Sequence, residues 1–116
     1  MVSGQKVWTS SALEADWCIL LVRTDQDASK RKGITFLLMD RHSPGVEVRP
    51  VKQATGQSEF CESFLDEVRV PVANRLGKEN DGWAVTNSTL ASERGVVIVE
   101  LAERLMRNGV GAFLDA

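Results

Sequence analysis

The sequence predicts an α+β chain: a mainly antiparallel β-barrel or β-sandwich domain, followed by one long or broken C-terminal α-helix. Three observations predict it. Branched and aromatic residues gather in short runs over the first two-thirds of the chain. Gly, Pro and polar clusters separate those runs. The last third then changes to a helical period. At 116 residues, with 43% hydrophobic and 26% charged residues, the chain has the size and composition of one globular domain.

The elements follow in order. Lys6-Val7-Trp8-Thr9 is a short strand, and Trp17 to Val22 is apolar enough to form a buried one. Asp25 to Gly33 is polar and charged, which suits an exposed connection to the partner strand Ile34–Met39. Ser43-Pro44-Gly45 is a turn, because proline presets φ and glycine accepts a positive one. Val46 to Arg49 alternates apolar and polar, as a strand with one wet face does. Phe60 to Val70 reads as a strand in which Phe64, Val68 and Val70 share a face, and Pro71 ends its pairing. Asn80 or Asp81 caps the helix that follows. Leu90, Val97, Leu101 and Leu105 form its stripe, widened by Ile98, Ala102 and Met106. Glu100–Arg104 and Glu103–Arg107 are spaced as ion pairs, Gly95 marks a break near Ser92–Gly95, and Gly109 and Gly111 loosen the end. Such a helix needs an apolar partner, so the chain reads as incomplete or as one that assembles with other copies.

Composition excludes several classes. A net charge of −2 carries no basic footprint for nucleic acid. The longest apolar runs, Cys18–Val22 and Ile34–Met39, are far short of the roughly 20 residues of a membrane span. No basic stretch followed by an apolar one opens the sequence, so secretion is not expected, and two cysteines make no disulfide framework, so a reduced cytosolic or organellar setting is expected, with the cytoplasm as the location. No dinucleotide, P-loop or nucleophile-elbow motif occurs, and no metal site is expected. His42 reads as an exposed loop histidine without an orienting partner, and Cys18 as an inert core thiol. Cys61 has no neighbour that would activate it.

Two stretches ask for more. In Gly4–Ala12, Trp8 is followed by three hydroxyls, a flat apolar surface beside short donors that suits a planar heteroaromatic ring. In Asn80–Arg94, Glu93 and Arg94 adjoin the helical stripe. Taken residue by residue, a core tryptophan with turn serines and a solvated helix face explain both.

Taken together, GQKVWTSSA (4–12), ADWCILLVRTD (15–25), KGITFLLMD (32–40), SPGVEVRPV (43–51), TGQSEF (55–60), DEVRVPVANRLGKENDGW (66–83) and LASERG (90–95) resemble the acyl-CoA dehydrogenase family. TGQSEF and NDGW…LASER look most like its bacterial fatty acyl-CoA members. The resemblance implies a middle β-domain over 1–78, incomplete at its start, and the beginning of a C-terminal helical domain over 79–116. It implies FAD as cofactor and α,β-desaturation of an acyl-CoA thioester, an oxidoreductase step of fatty acid β-oxidation. Trp8 matches the family tryptophan against the flavin, Ser10 the hydroxyl at its N5/O4 edge, and Thr9 lies between them. Glu93 matches the catalytic base of the isovaleryl- and long-chain-type branch; in the other branch that position is not acidic. Arg94 matches the arginine beside it, which shapes the substrate site. Cys61 stands where bacterial members often carry asparagine. An electron-transfer flavoprotein as acceptor, a homo-oligomer and an inactive isolated fragment are further implications. The alternatives are a non-catalytic scaffold that self-associates through Val97, Leu101 and Leu105, and a flavin oxidase or hydroxylase of the same fold.

Overall fold

A computed structural model describes residues 1–106, without the side chain of Leu105. The expected looseness at Gly109 and Gly111, the Glu103–Arg107 pair and Leu105's place in the helical stripe lie outside the described residues. The chain divides into two compact units, Met1–Trp83 and Ala84–Ala116.

The first unit holds six strands: β1 (Val2–Ser10), β2 (Trp17–Arg23), β3 (Ile34–Asp40), β4 (Val46–Pro50), β5 (Phe60–Val68) and β6 (Arg75–Leu76). They form two three-stranded antiparallel sheets, in the orders β1-β5-β4 and β2-β3-β6. This is the sandwich alternative; no barrel closes. Leu20 and Met39 from one sheet meet Leu65 and Val68 from the other in a buried cluster. Each such side chain contributes about 1.5–3 kcal/mol when fully buried. Where β1 and β2 form neighbouring sheet edges, the Lys6 ammonium donates to the Leu21 carbonyl at 2.9 Å.

β2 and β3 pair without a slip, from Trp17 opposite Asp40 to Arg23 opposite Ile34. The apolar run of β2 is not buried throughout, as its composition had suggested. Leu20 is buried, with Cys18 and Val22 packed against the core, while Trp17 and Ile19 on the other face are 58% and 55% exposed. Period-two geometry sends alternate side chains of any strand to opposite faces, however apolar they are.

The β1–β5 pair departs furthest from expectation. Its register shifts twice. Near one end, Val2 faces Val68 but Gly4 faces Leu65, so β5 carries an extra residue. Glu67 there has φ +46°, and its amide is satisfied by the Ser3 hydroxyl at 2.9 Å. Cys61, Ser63 and Leu65 therefore point inward on one parity and Val68 on the other. The expectation that Phe64, Val68 and Val70 share a face is wrong in part: Val68 is buried, whereas Phe64 faces away and lies under the Arg49 guanidinium, 4.6 Å from its ring centre. The second shift, between Lys6 and Thr9, adds a residue to β1 and returns the pair to its first register.

Two glycines are set by geometry. Gly45 takes φ +89° in the turn before β4. Gly82 lies so close to β3 that a Cβ would come within 2.7 Å of the Phe36 amide nitrogen. Beside it runs a closed ring of hydrogen bonds. The Asn80 amide donates to Thr35 Oγ1 (2.9 Å), Thr35 donates to Thr24 Oγ1 (2.7 Å), and Thr24 donates to Asn80 Oδ1. Asn80 (φ +66°) spends its side chain on Thr24, which corrects its expected use as a helix cap.

The helix α1 (Gly82–Leu105) begins in the first unit and continues into the second. It runs unbroken through Gly95, so the broken alternative does not hold. A lone glycine costs about 1 kcal/mol in a helix interior and does not end it. Glu100 and Arg104 form no ion pair among the described residues; two exposed, flexible side chains gain little by meeting in water. No helix of the described residues is long and apolar enough to cross a membrane.

Gly82→Ala should cost about 1–3 kcal/mol through forced backbone displacement at Phe36, read as a lower urea midpoint with an unchanged slope. Thr35→Val removes the acceptor of the Asn80 amide and should cost about 1–3 kcal/mol in the same assay.

Candidate functional site

The second register shift decides where Trp8 points. Gly4 and Lys6 pair with the inward Leu65 and Ser63, so even positions of β1 face the opposite sheet. An uninterrupted strand would send Trp8 the same way. The extra residue reverses the parity: Thr9 pairs with buried Cys61, and Trp8 is turned out, 64% exposed, with φ +64°. A left-handed conformation costs a residue with a Cβ on the order of 1–2 kcal/mol. Such outliers persist where the surrounding structure over-determines them.

Around Trp8 the pieces are few. The Phe60 ring stands at 81° to the indole with centroids 5.7 Å apart. Ser10 pairs with Phe60 across the strands and is exposed, and its hydroxyl makes no hydrogen bond to the described residues. Ser10, Ser11, Gln57, Ser58, Glu59 and Phe60 line an open hollow of about 550 Å³. Thr9 pairs with buried Cys61 on the inward parity and lines the space between the sheets with Cys18, Met39 and Ser63, a space that Ser10 also borders. Trp8 and Ser10 therefore share the outer face, and Thr9 does not.

Glu93 and Arg94 lie on α1 in the second unit, both exposed. Val96, Val97, Ile98, Val99 and Leu101 on the same helix are exposed as well. Thr89 and Ser92 turn their hydroxyls back onto the carbonyls of Val85 and Ser88.

The remaining chemistry-bearing residues are accounted for locally. His42, unlike its sequence reading, does have a carboxylate partner: Nε2 lies 3.0 Å from Asp16 Oδ1, while Nδ1 lies 3.4 Å from an Arg41 guanidinium nitrogen. Spacing could not have revealed a partner 26 positions away across β2 and β3. With both ring nitrogens engaged and both side chains exposed, the pair pins two surface turns together. Cys61 is buried, and Cys18 is half-buried with its thiol pushed up by loss of solvation, an effect that Lys6 partly opposes. The group Arg31–Trp83, with the guanidinium 4.7 Å from the ring centre, was not legible from spacing either.

Residues 1–68 match the family described as acyl-CoA dehydrogenase, middle domain. Acyl-CoA dehydrogenase FadE34 of Mycobacterium tuberculosis is 52% identical over 94 residues, covering 81% of this chain and 13% of the relative. Acyl-CoA dehydrogenase IpdE1 of Mycolicibacterium smegmatis is 45% identical over 96 residues, covering 83% and 24%. Among solved structures, the ChsE4–ChsE5 complex from Mycobacterium tuberculosis superposes with a TM-score of 0.69 at 38% identity, covering 77% of this chain and 23% of that one. The chain thus spans about a quarter or less of the length of these proteins.

Burial of Cys18 sets its reactivity. A raised pKa leaves less thiolate at any pH below it. Iodoacetamide at pH 8 should therefore label Cys18 several-fold more slowly than a small free thiol, with the rate still climbing at pH values where the free thiol has levelled off. Mass spectrometry of the labelled chain reads both.

Proposed function

The chain belongs to the acyl-CoA dehydrogenase family, and from that premise we propose that it carries the flavin-facing surface and the proton acceptor of an enzyme that desaturates an acyl-CoA thioester. The domain reading that goes with this is a middle β-domain over 1–78 and the start of a C-terminal helical domain over 79–116. The observation that carries the proposal is the outward indole of Trp8, with an unpartnered hydroxyl at Ser10 on the same face.

Those residues fit a flavin. A planar conjugated ring with polar edge atoms gains from an open aromatic face and a hydroxyl at its rim. An exposed tryptophan at positive φ has no account in the folding of the β-unit, since no core contact rewards it. FAD, when bound, supplies an acceptor for the hydride that leaves the substrate's β-carbon. Everything else falls to side chains. Ser10 donates to the ring's polar edge, and Trp8 shields one ring face from water. Thr9, which faces the space between the sheets, acts through the strand and not by direct contact.

Glu93 is the proposed base. Its carboxylate takes the α-proton, the electron pair of the broken α-C–H bond becomes the second bond between Cα and Cβ, and the β-hydrogen departs as hydride with its own pair. General-base action by a positioned carboxylate contributes about 10²–10⁴-fold. Arg94 helps shape the thioester's surroundings. Acyl-CoA is the substrate class, an electron-transfer flavoprotein the acceptor, and a homo-oligomer in the cytoplasm the working form; the 116 residues alone are inactive. A second reading, self-association without catalysis, is favoured by one observation: the exposed apolar run Val96–Val99 with Leu101 on α1.

FAD added to this chain should quench indole fluorescence saturably, and Trp8→Leu should abolish that component. In a form carrying the flanking sequence its relatives have, Glu93→Gln should lower acyl-CoA-driven dye reduction by about 10²–10⁴-fold while the flavin spectrum stays unchanged. Saturable quenching that persists undiminished in Trp8→Leu, or full activity in Glu93→Gln, sinks the corresponding assignment. A purely assembling protein would sediment as an oligomer and bind no FAD.

A further inference from the structure

Phe60 is the one aromatic ring found against Trp8 among the described residues. Its backbone is fixed on both sides. It pairs with Ser10 on β1, its carbonyl accepts the Val51 amide at 2.8 Å, and the neighbouring Glu59 carbonyl accepts the Ser11 amide at 3.0 Å. Trp8 is placed quite differently. It sits where the ladder is interrupted, is mostly exposed, and so has little else to restrict its side-chain torsions. A large ring in that position is free to rotate unless a neighbour holds it.

The perpendicular arrangement is the attractive one for two aromatic quadrupoles. It also has a steric consequence. A ring standing at 81° does not lie flat over its neighbour, so a third planar ring can still stack parallel to the indole. Phe60 further lines the same hollow as Ser10 and Ser11. One residue thus touches the indole and borders the space beside the free hydroxyl.

We infer that Phe60 is a positioning residue: it fixes the plane of the Trp8 indole and thereby the plane in which a flavin-sized ring can lie. The second half rests on the flavin reading above; the first half does not. Phe60 itself takes no part in the chemistry.

The test separates the two halves. With 5-fluorotryptophan incorporated, the three tryptophans give three fluorine resonances, and Trp8→Phe identifies that of Trp8. Phe60→Leu should move the Trp8 resonance and leave those of Trp17 and Trp83 in place. Phe60→Tyr, which keeps the ring, should restore it. In the unaltered chain, the Trp8 indole N–H should show an order parameter of about 0.85, that of a rigid group. FAD titrated against fluorescence should bind Phe60→Leu about two- to tenfold more weakly than the parent or Phe60→Tyr, the range an aromatic pair supports. An unmoved Trp8 resonance in Phe60→Leu, or an order parameter below about 0.6 in the parent, overturns the positioning role whatever FAD does. A rigid, Phe60-dependent indole in a parent that binds no FAD leaves the positioning standing and removes the flavin reading.

Discussion

Pairing between β1 and β5 is the interaction on which the rest depends. It joins the strand that carries Trp8 and Ser10 to the strand that supplies Cys61, Ser63, Leu65 and Val68 to the interior. An extra residue in β5 brings Val68 into the core; an extra residue in β1 turns Trp8 out of it. A regular ladder of the same length could not do both, because a single parity would run from end to end. The strain held at Glu67 and Trp8 is the counterpart of that double demand, and it is offset by the buried cluster the two sheets share.

Much of this fold is legible in the sequence. The polar stretch Asp25–Gly33 between two apolar runs announces the β2–β3 hairpin, and its interior is drawn in by Arg23, whose guanidinium reaches the carbonyls of Asp25, Ala28 and Lys30. Pro-Gly marks the turn before β4, and Pro71 leads into a 3-10 turn at Val72–Asn74. Irregularities are what composition hides. Neither extra residue is a glycine, so nothing in the local sequence announces them, and the parity of β5 is misjudged at Phe64 as a result. β2 hides its second face for another reason: an apolar side chain looks the same whether it is packed or bare. Gly95 misleads in the opposite direction, since a helix of 24 residues carries one glycine without breaking. At the site, Trp8 and Ser10 stand out through type and spacing, whereas Phe60 becomes meaningful only when strand pairing brings it 5.7 Å from the indole.

The start of α1 is held from the β-unit. The Asn80–Thr35–Thr24 ring ties the segment before the helix to the ends of β2 and β3, Gly82 lies against the β3 backbone, and Arg31 from the β2–β3 hairpin covers Trp83. Closed rings of hydrogen bonds in partly buried surroundings strengthen cooperatively. These contacts fix the segment up to Trp83, and the residues from Ala84 onward form the second unit.

The two irregularities of β1 and β5 cancel: both ends of the pair share one register, and only the middle is displaced. Length in these strands is therefore a joint property. Removing the residue before Trp8 would leave Thr9 opposite Cys61 and set Trp8 opposite Glu62, still on the outward parity, but eight residues of β1 would then face nine of β5. Removing the surplus residue of β5 as well would make the two strands equal in length again. Across the history of such a strand pair, a gap in one member should be matched by a gap in the other.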